Sequence, residues 1–147
     1  MKYVIETEPK KTARATSLNT PISPRDALEI VRTIKGMNLG KAKDYLENVI
    51  DKKKAVPYRK FLDSVSHRRG VGPGRYPVKA AKYVLETLES AESNAEFKQL
   101  DSEKLVIKSA VAQPAPPIKY YTFKAFGSSG KFYRERVHIQ VILEEVE

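Results

Sequence analysis

The sequence predicts an α+β fold: three helices in the middle of the chain, strands at both ends, and a long protruding β-hairpin. Three observations predict it. Apolar residues recur at helical spacing in three separate stretches between residues 23 and 97. The last third holds two strand-like runs, 105–111 and 137–143, the second with Val137, Ile139, Val141 and Leu143 alternating onto one face. Between these runs lie about two dozen residues, rich in Pro, Gly and Ser, that no compact domain would keep as an idle connection.

Residues 1–22 read as extended. The basic run 10–17 suits a strand added to the sheet of the final hairpin, with Lys11 and Arg14 available to a partner and Arg14 facing outward between Ala13 and Ala15. A floppy basic tail is the alternative. The first helix starts at Ser23-Pro-Arg-Asp26: Ser23 can cap free N–H groups, Pro24 suits the first helical position, and Asp26 favours the positive dipole end. Ala27, Ile30, Val31 and Ile34 form its inward stripe, and Gly36 ends it. Arg25 and Arg32 fall outside the stripe, available to solvent or phosphate. A second helix from about Asn38 to Ile50 buries Ala42, Tyr45, Leu46, Val49 and Ile50.

Residues 52–79 change character, with nine Lys/Arg against one acid, Asp63. Pro57, Pro73, Pro77 and the run Gly70-Val-Gly-Pro-Gly74 break any long helix, so the expectation is a basic extended loop docked on nucleic acid. Its candidate contacts are Lys53, Lys54, Arg59, Lys60, Arg68, Arg69 and Arg75, together with His67. Phe61, Leu62 and Val65 are expected to pin one turn to the body. The glycine run lacks the Gly-Lys-Ser/Thr ending of a phosphate loop. The third helix opens at Pro77 and runs to about Phe97, with Ala81, Val84, Leu85, Leu88 and Ala95 inward and Glu86, Glu89, Glu92 and Glu96 on an outer acidic face. A turn at 100–103 follows. At the other end of the hairpin, Glu144, Glu145 and Glu147 are expected to face solvent.

The arm, residues 112–136, carries six of the chain's aromatics between Tyr120 and Tyr133, and no acid occurs from Lys104 to Arg134. It is expected to turn between Ala125 and Gly130 and to reach roughly 40 Å at ~3.3 Å per residue. A ribbon with aromatic and basic side chains but no hydrophobic face is marginal alone in water. RNA, an anion with bases to stack on, is the partner that fits. A disordered linker is the competing reading; the regular strand on each side argues against it.

The whole chain has 147 residues and a net charge of +9, enough length for one domain with a real core and a balance that points to a polyanion. No apolar run approaches the ~18 residues of a membrane span, and residues 1–8 do not read as a signal peptide. Cysteine is absent, which excludes disulfides and thiolate metal sites. The two histidines, His67 and His138, have no carboxylate at metal-ligand spacing. No metal, no cofactor and no catalytic residue is expected, although a site assembled only in space would leave no such trace.

Taken in order, a set of short segments carries a resemblance. These are Ile22-Ser-Pro-Arg25 with Ile34-Lys-Gly36, Ala80-Ala81, Ser90-Ala-Glu-Ser-Asn-Ala95, Leu100-Asp101, Leu105-Val-Ile107, Lys124-Ala-Phe-Gly127 and Val137-His-Ile-Gln-Val-Ile-Leu143. From about Lys11 to Glu145 the chain resembles the universal large-subunit ribosomal protein family whose hairpin lines the nascent-peptide exit tunnel. That family is number twenty-two in the bacterial series and seventeen in the eukaryotic one. Val56-Pro-Tyr58 and Gly74-Arg-Tyr-Pro77 look like its archaeal and eukaryotic branch.

The resemblance implies three helices packed on a three-stranded antiparallel sheet, all one domain: body 11–111 and 137–147, insert 52–76, arm 112–136. It implies a cytoplasmic protein of the large subunit, bound to ribosomal RNA and neighbouring ribosomal proteins, without membrane insertion. The contacts on the arm would be Lys119, Tyr120, Tyr121, Lys124, Arg134 and Arg136. Phe123, Phe126, Phe132 and Tyr133 would add stacking faces, and the arm would gain its shape on binding. The tip, Lys124, Ala125, Phe126, Gly127, Ser128, Ser129, Gly130 and Lys131, would meet the nascent polypeptide. The family's tip usually reads Arg-Ala-x-Gly-Arg; here Lys124 and Ser128 stand at the two arginine positions, and Gln99 replaces a glycine before Leu100-Asp101. A free-standing nucleic-acid binder with a basic β-ribbon arm is the rival reading.

Overall fold

A computed structural model describes Tyr3 and residues 11–146. The long strands are β1 (Thr12–Thr20), β5 (Leu105–Phe123) and β6 (Ser129–Glu145), and the helices are α1 (Pro24–Ile34), α2 (Leu39–Ile50) and α3 (Val78–Phe97). Three short strands, β2 (Val56–Pro57), β3 (His67–Arg68) and β4 (Gly72–Arg75), lie between α2 and α3. The main sheet is antiparallel in the order β1-β6-β5. The expected N-terminal strand is therefore present, from Thr12 onward; residues 1, 2 and 4–10 of the predicted extended segment lie outside the described residues.

Strand β6 is central, and its alternation decides the core. Val137, Ile139, Val141 and Leu143 are fully buried beneath the helices, where they meet Ile30, Ile34, Leu88, Leu105 and Ile107. Each such side chain contributes about 1.5–3 kcal/mol by leaving water. On α3 the inward face is mostly alanine: Ala80, Ala81, Ala91 and Ala95 stand beside Val84 and Leu88. Small side chains let the helix lie close to β1 and β6.

The turn between α1 and α2 is tied to β5 by two backbone hydrogen bonds of 2.9 Å, Gly36 N–H to the Ile107 carbonyl and Ile107 N–H to the Met37 carbonyl. Gly36 has φ +82°, a conformation in which a β-carbon would be strained. The Asn38 side chain accepts from Gly40 N–H at 3.0 Å and donates to the Glu103 carbonyl at 3.0 Å, capping α2 while holding the turn before β5.

Several expectations are corrected. Ser23 stands at the N-cap of α1 but makes no side-chain cap hydrogen bond, so Pro24 and Asp26 carry that start. Glu92 leaves the acidic face of α3 to pair with Lys43 of α2, whereas Glu86, Glu89 and Glu96 are exposed. Leu85 and Tyr45 are only partly buried. Glu144 pairs with Lys108, and Glu145 accepts from Asp101 N–H at 3.1 Å, so both are half-buried rather than free. Glu147 lies outside the described residues.

The largest difference is at 52–76, which forms a second antiparallel sheet in the order β2-β4-β3 rather than an extended loop. Val56 and Tyr58 are its anchors, 0% and 3% exposed, together with Val65. Phe61 and Leu62, expected to pin this segment, are exposed instead. Gly74 lets the strands close: a β-carbon there would stand 3.1 Å from the Val56 carbonyl oxygen.

Candidate nucleic-acid interface

Two surfaces collect the predicted contacts. The first is the distal half of the hairpin. Pairing continues without a core beneath it from Ile118↔Arg134 to Phe123↔Ser129. Pro114, Pro116 and Pro117 are tolerated because β5 is an edge strand, where a missing N–H breaks no ladder on a second side. The ladder slips between Ala115 and Ile118, and Arg136 holds that bulge by donating from Nε and Nη2 to the Pro116 carbonyl at 2.9 and 2.7 Å.

Alternation then divides the arm's side chains between two faces. One face carries Tyr120 opposite Phe132 with Arg134 two pairs away, its guanidinium 5.3 Å from the Tyr120 ring. The other carries Lys119 opposite Tyr133 and Tyr121 opposite Lys131. Each face thus pairs cations with aromatic rings, and all six aromatics from Tyr120 to Tyr133 are exposed. The tip closes with Lys124 N–H on the Ser128 carbonyl at 2.9 Å and Ser128 Oγ on the Ala125 carbonyl at 2.9 Å. Phe126 at its crest has φ 59° and is fully exposed.

The second surface is the insert. Tyr58 lies between two guanidiniums, Arg25 at 5.2 Å and Arg75 at 5.7 Å from its ring centroid. Its hydroxyl donates to Asp26 Oδ1 at 2.5 Å. Burial first, and then the hydrogen bond to Asp26, push its phenol far above the usual tyrosine range. Both arginines also reach backbone carbonyls: Arg25 those of Lys60, at 3.1 Å, and Phe61, and Arg75 that of Ser64, at 3.2 Å. The buried Glu29 accepts from Arg59 N–H at 3.2 Å and lies 3.8 Å from Arg32. Beside this anchor an open cavity of about 720 Å³ is lined by Lys53, Lys54, Arg68 and Arg69 with Tyr45 and Tyr76. Arg68 stacks over Tyr76 at 5.3 Å.

The predicted contact residues differ in exposure and in the partners they hold. Arg25, Arg75 and Arg136 hold the chain's own carbonyls, and Lys53 pairs with Asp51 at 2.8 Å. Arg14 is half-buried in β1 and stacks over Tyr3 at 5.4 Å. Lys54, Arg59, Lys60, His67, Arg68, Arg69, Lys119, Lys124 and Arg134 are exposed, as is Lys11 at the start of β1. His138 is occupied differently, its Nδ1 accepting from Asn19 N–H at 3.1 Å. Sequence reasoning missed Tyr58, Asp26 and Glu29. The one available signal was a tyrosine spaced two residues from Val56, the strand period of a buried face. Among the described residues no three His, Asp or Glu side chains gather as metal ligands, and no helix is long and apolar enough to cross a membrane.

The family described as "Ribosomal protein L22p/L17e" matches residues 15–144. The chain is 45% identical over 150 residues to the large ribosomal subunit protein uL22 of Ignicoccus hospitalis, covering 98% of this chain and 94% of that one. It is 47% identical over 148 residues to the uL22 of Methanocaldococcus jannaschii, covering 99% and 95%. The uL22 of Thermoplasma volcanium is 46% identical over 136 residues, covering 92% of each chain. With matches of this length running from β1 through the insert to the end of β6, the chain belongs to the ribosomal protein L22p/L17e family and is of its archaeal type.

Proposed function

We propose that this chain is a structural constituent of the large ribosomal subunit in the cytoplasm, where it binds the subunit's RNA and aids assembly. The observation that carries the reading is a ribbon with cation–aromatic pairs on both faces and no core under either. Such a ribbon is suited to lie between two RNA segments, its cations neutralising phosphates and its rings stacking on unpaired bases. In this reading the chain is one ribosomal-protein domain, with body 11–111 and 137–147, insert 52–76 and arm 112–136. Its role is architectural rather than catalytic.

The RNA contacts in this proposal are the exposed cations of the insert and arm, with Lys11 beside β1. Arg25, Arg75 and Arg136 hold the shape that presents them. The body's other surfaces meet neighbouring ribosomal proteins. The tip, 124–131, lines the exit tunnel and meets the nascent polypeptide, with Phe126 foremost. Ser128 leaves the end of the turn without the cation usual in the family, so tip contacts fall to Lys124 and Lys131.

Sedimentation of a native lysate through a high-salt sucrose gradient tests the reading. The protein is expected to remain with the large subunit after weakly held basic proteins have washed off. Migration at the top of the gradient, or with DNA, would refute it.

A further inference from the structure

Five residues other than glycine have positive φ among the described residues: Asn19, Lys52, Phe61, Gln99 and Phe126. Lys52 and Gln99 follow the ends of α2 and α3, where a left-handed residue commonly closes a helix, and asparagine tolerates this region. The two phenylalanines have no such excuse. A bulky side chain at φ 55° (Phe61) or 59° (Phe126) is strained, and strain of this kind persists only where the surroundings impose it. Phe126 is at the arm's tip. Phe61 lies in the insert, 78% exposed.

The surroundings of Phe61 do impose it. Arg25 donates to the carbonyls of both Lys60 and Phe61, while Arg75 grips the next shoulder of the loop at the Ser64 carbonyl. Both guanidiniums stack on the same buried ring, Tyr58. Val65 N–H closes the turn on the Leu62 carbonyl at 2.9 Å. A loop held at both shoulders from a buried tyrosine cannot relax to fold its ring inward. The neighbours Arg59 and Lys60 are exposed, and neither side chain has an ion pair among the described residues. An apolar plate held outward directly after two exposed cations matches a nucleotide, with a face for the base to stack on and positive charge beside it for the phosphates.

We propose that Phe61 is a preorganised stacking post for an unpaired base of the large-subunit RNA, with Arg59 and Lys60 on the flanking phosphates. This rests on the reading of the chain as an RNA-bound subunit protein and deepens it. Preorganisation is the purpose of the strain: the ordering that stacking requires is already done before RNA arrives. Charge favours RNA over a protein partner, since the segment 52–79 holds nine Lys/Arg against Asp63 alone.

The test uses large subunits purified from cells carrying Phe61→Ala, Phe61→Trp or the unchanged protein, with the RNA probed by base- and ribose-reactive reagents. Phe61→Ala is expected to raise the reactivity of one to a few clustered nucleotides several-fold, and Phe61→Trp to keep them protected. A photoreactive benzophenone carried at position 61 is expected to crosslink to RNA. Unchanged reactivity in the alanine subunits, or a crosslink to protein, would overturn the proposal. Free protein gives a second readout: Phe61→Gly removes the strained β-carbon and is expected to raise Tm by about 2–4 °C. A lowered Tm would contradict the imposed strain. Because Phe61 supports no core, these variants should still sediment with the subunit; failure of the unchanged protein to do so would instead refute the function beneath.

Discussion

The insert and the arm present the same chemistry, arginines stacked on tyrosines, on two different supports. In the insert the central ring, Tyr58, is 3% exposed and hydrogen-bonded to Asp26 of α1, so the basic surface is anchored in the core. In the arm the corresponding ring, Tyr120, is 43% exposed, opposite its cross-strand partner Phe132 and under the Arg134 guanidinium. The insert is therefore held by its own core, whereas the arm is held by backbone pairing alone and, in the proposed function, by RNA. A cation–π contact at an exposed site contributes only about 0.5–1 kcal/mol. Burial of the ring, not the stacking, separates the two.

Tyr58→Ala strikes the comparison hardest. It removes a buried ring, leaves Asp26 without its donor and unstacks two arginines, at a cost of about 3–5 kcal/mol. A Tm lowered by roughly 10 °C or more is expected in a melting experiment. Tyr120→Ala, the same substitution in the arm, should leave Tm nearly unchanged; equal losses would erase the distinction.

Arginine 136 tests the arm's own support. Arg136→Ala frees the Pro116 carbonyl at the bulge, a loss of about 0.5–1.5 kcal/mol confined to the ladder beyond it. Hydrogen exchange should quicken at Tyr120 and Phe132 and stay unchanged at Ile139 and Val141.

Alkaline pH sharpens the insert's side. The folded phenol of Tyr58 titrates above the unfolded value of 10.0, so its contribution is fully present below pH 10 and is lost as pH rises toward the folded value. Stability should decline above about pH 10, and Tyr58→Phe should lose part of that slope. An identical slope in the variant would contradict the assignment.

The smallest effect concerns RNA affinity. Lys119→Ala should leave stability within about 0.5 kcal/mol. It should also lower the slope of log K against log salt by about 0.7–0.9 if one phosphate contact is lost.

Much of this was legible in the sequence, and the failures have physical causes. Period-two alternation exposed β6, and i, i+3, i+4 spacing exposed α1 and the buried face of α3, because each of those elements buries one whole face. The insert's sheet was hidden because β2 and β3 are two residues long and β4 contains Gly-Pro-Gly, which gives no period to read. Phe61 and Leu62 misled because apolar type was taken for burial. The inward occupation of Arg25 and Arg136 was unreadable, since their acceptors lie 35–36 and 20 residues away. Charge and aromatic content pointed to a polyanion partner for these regions, while only the fold shows which of their cations hold the chain's own carbonyls.

The most direct test of the central claim compares backbone hydrogen exchange in the free protein and in the intact large subunit. Ile139, Val141 and Leu143, above the core, should be protected in both. Amides of the distal ladder, such as Tyr120 and Phe132, should exchange fast in the free protein and slowly in the subunit. Equal protection of the distal amides in both states would show that the arm stands by itself, and would contradict the account.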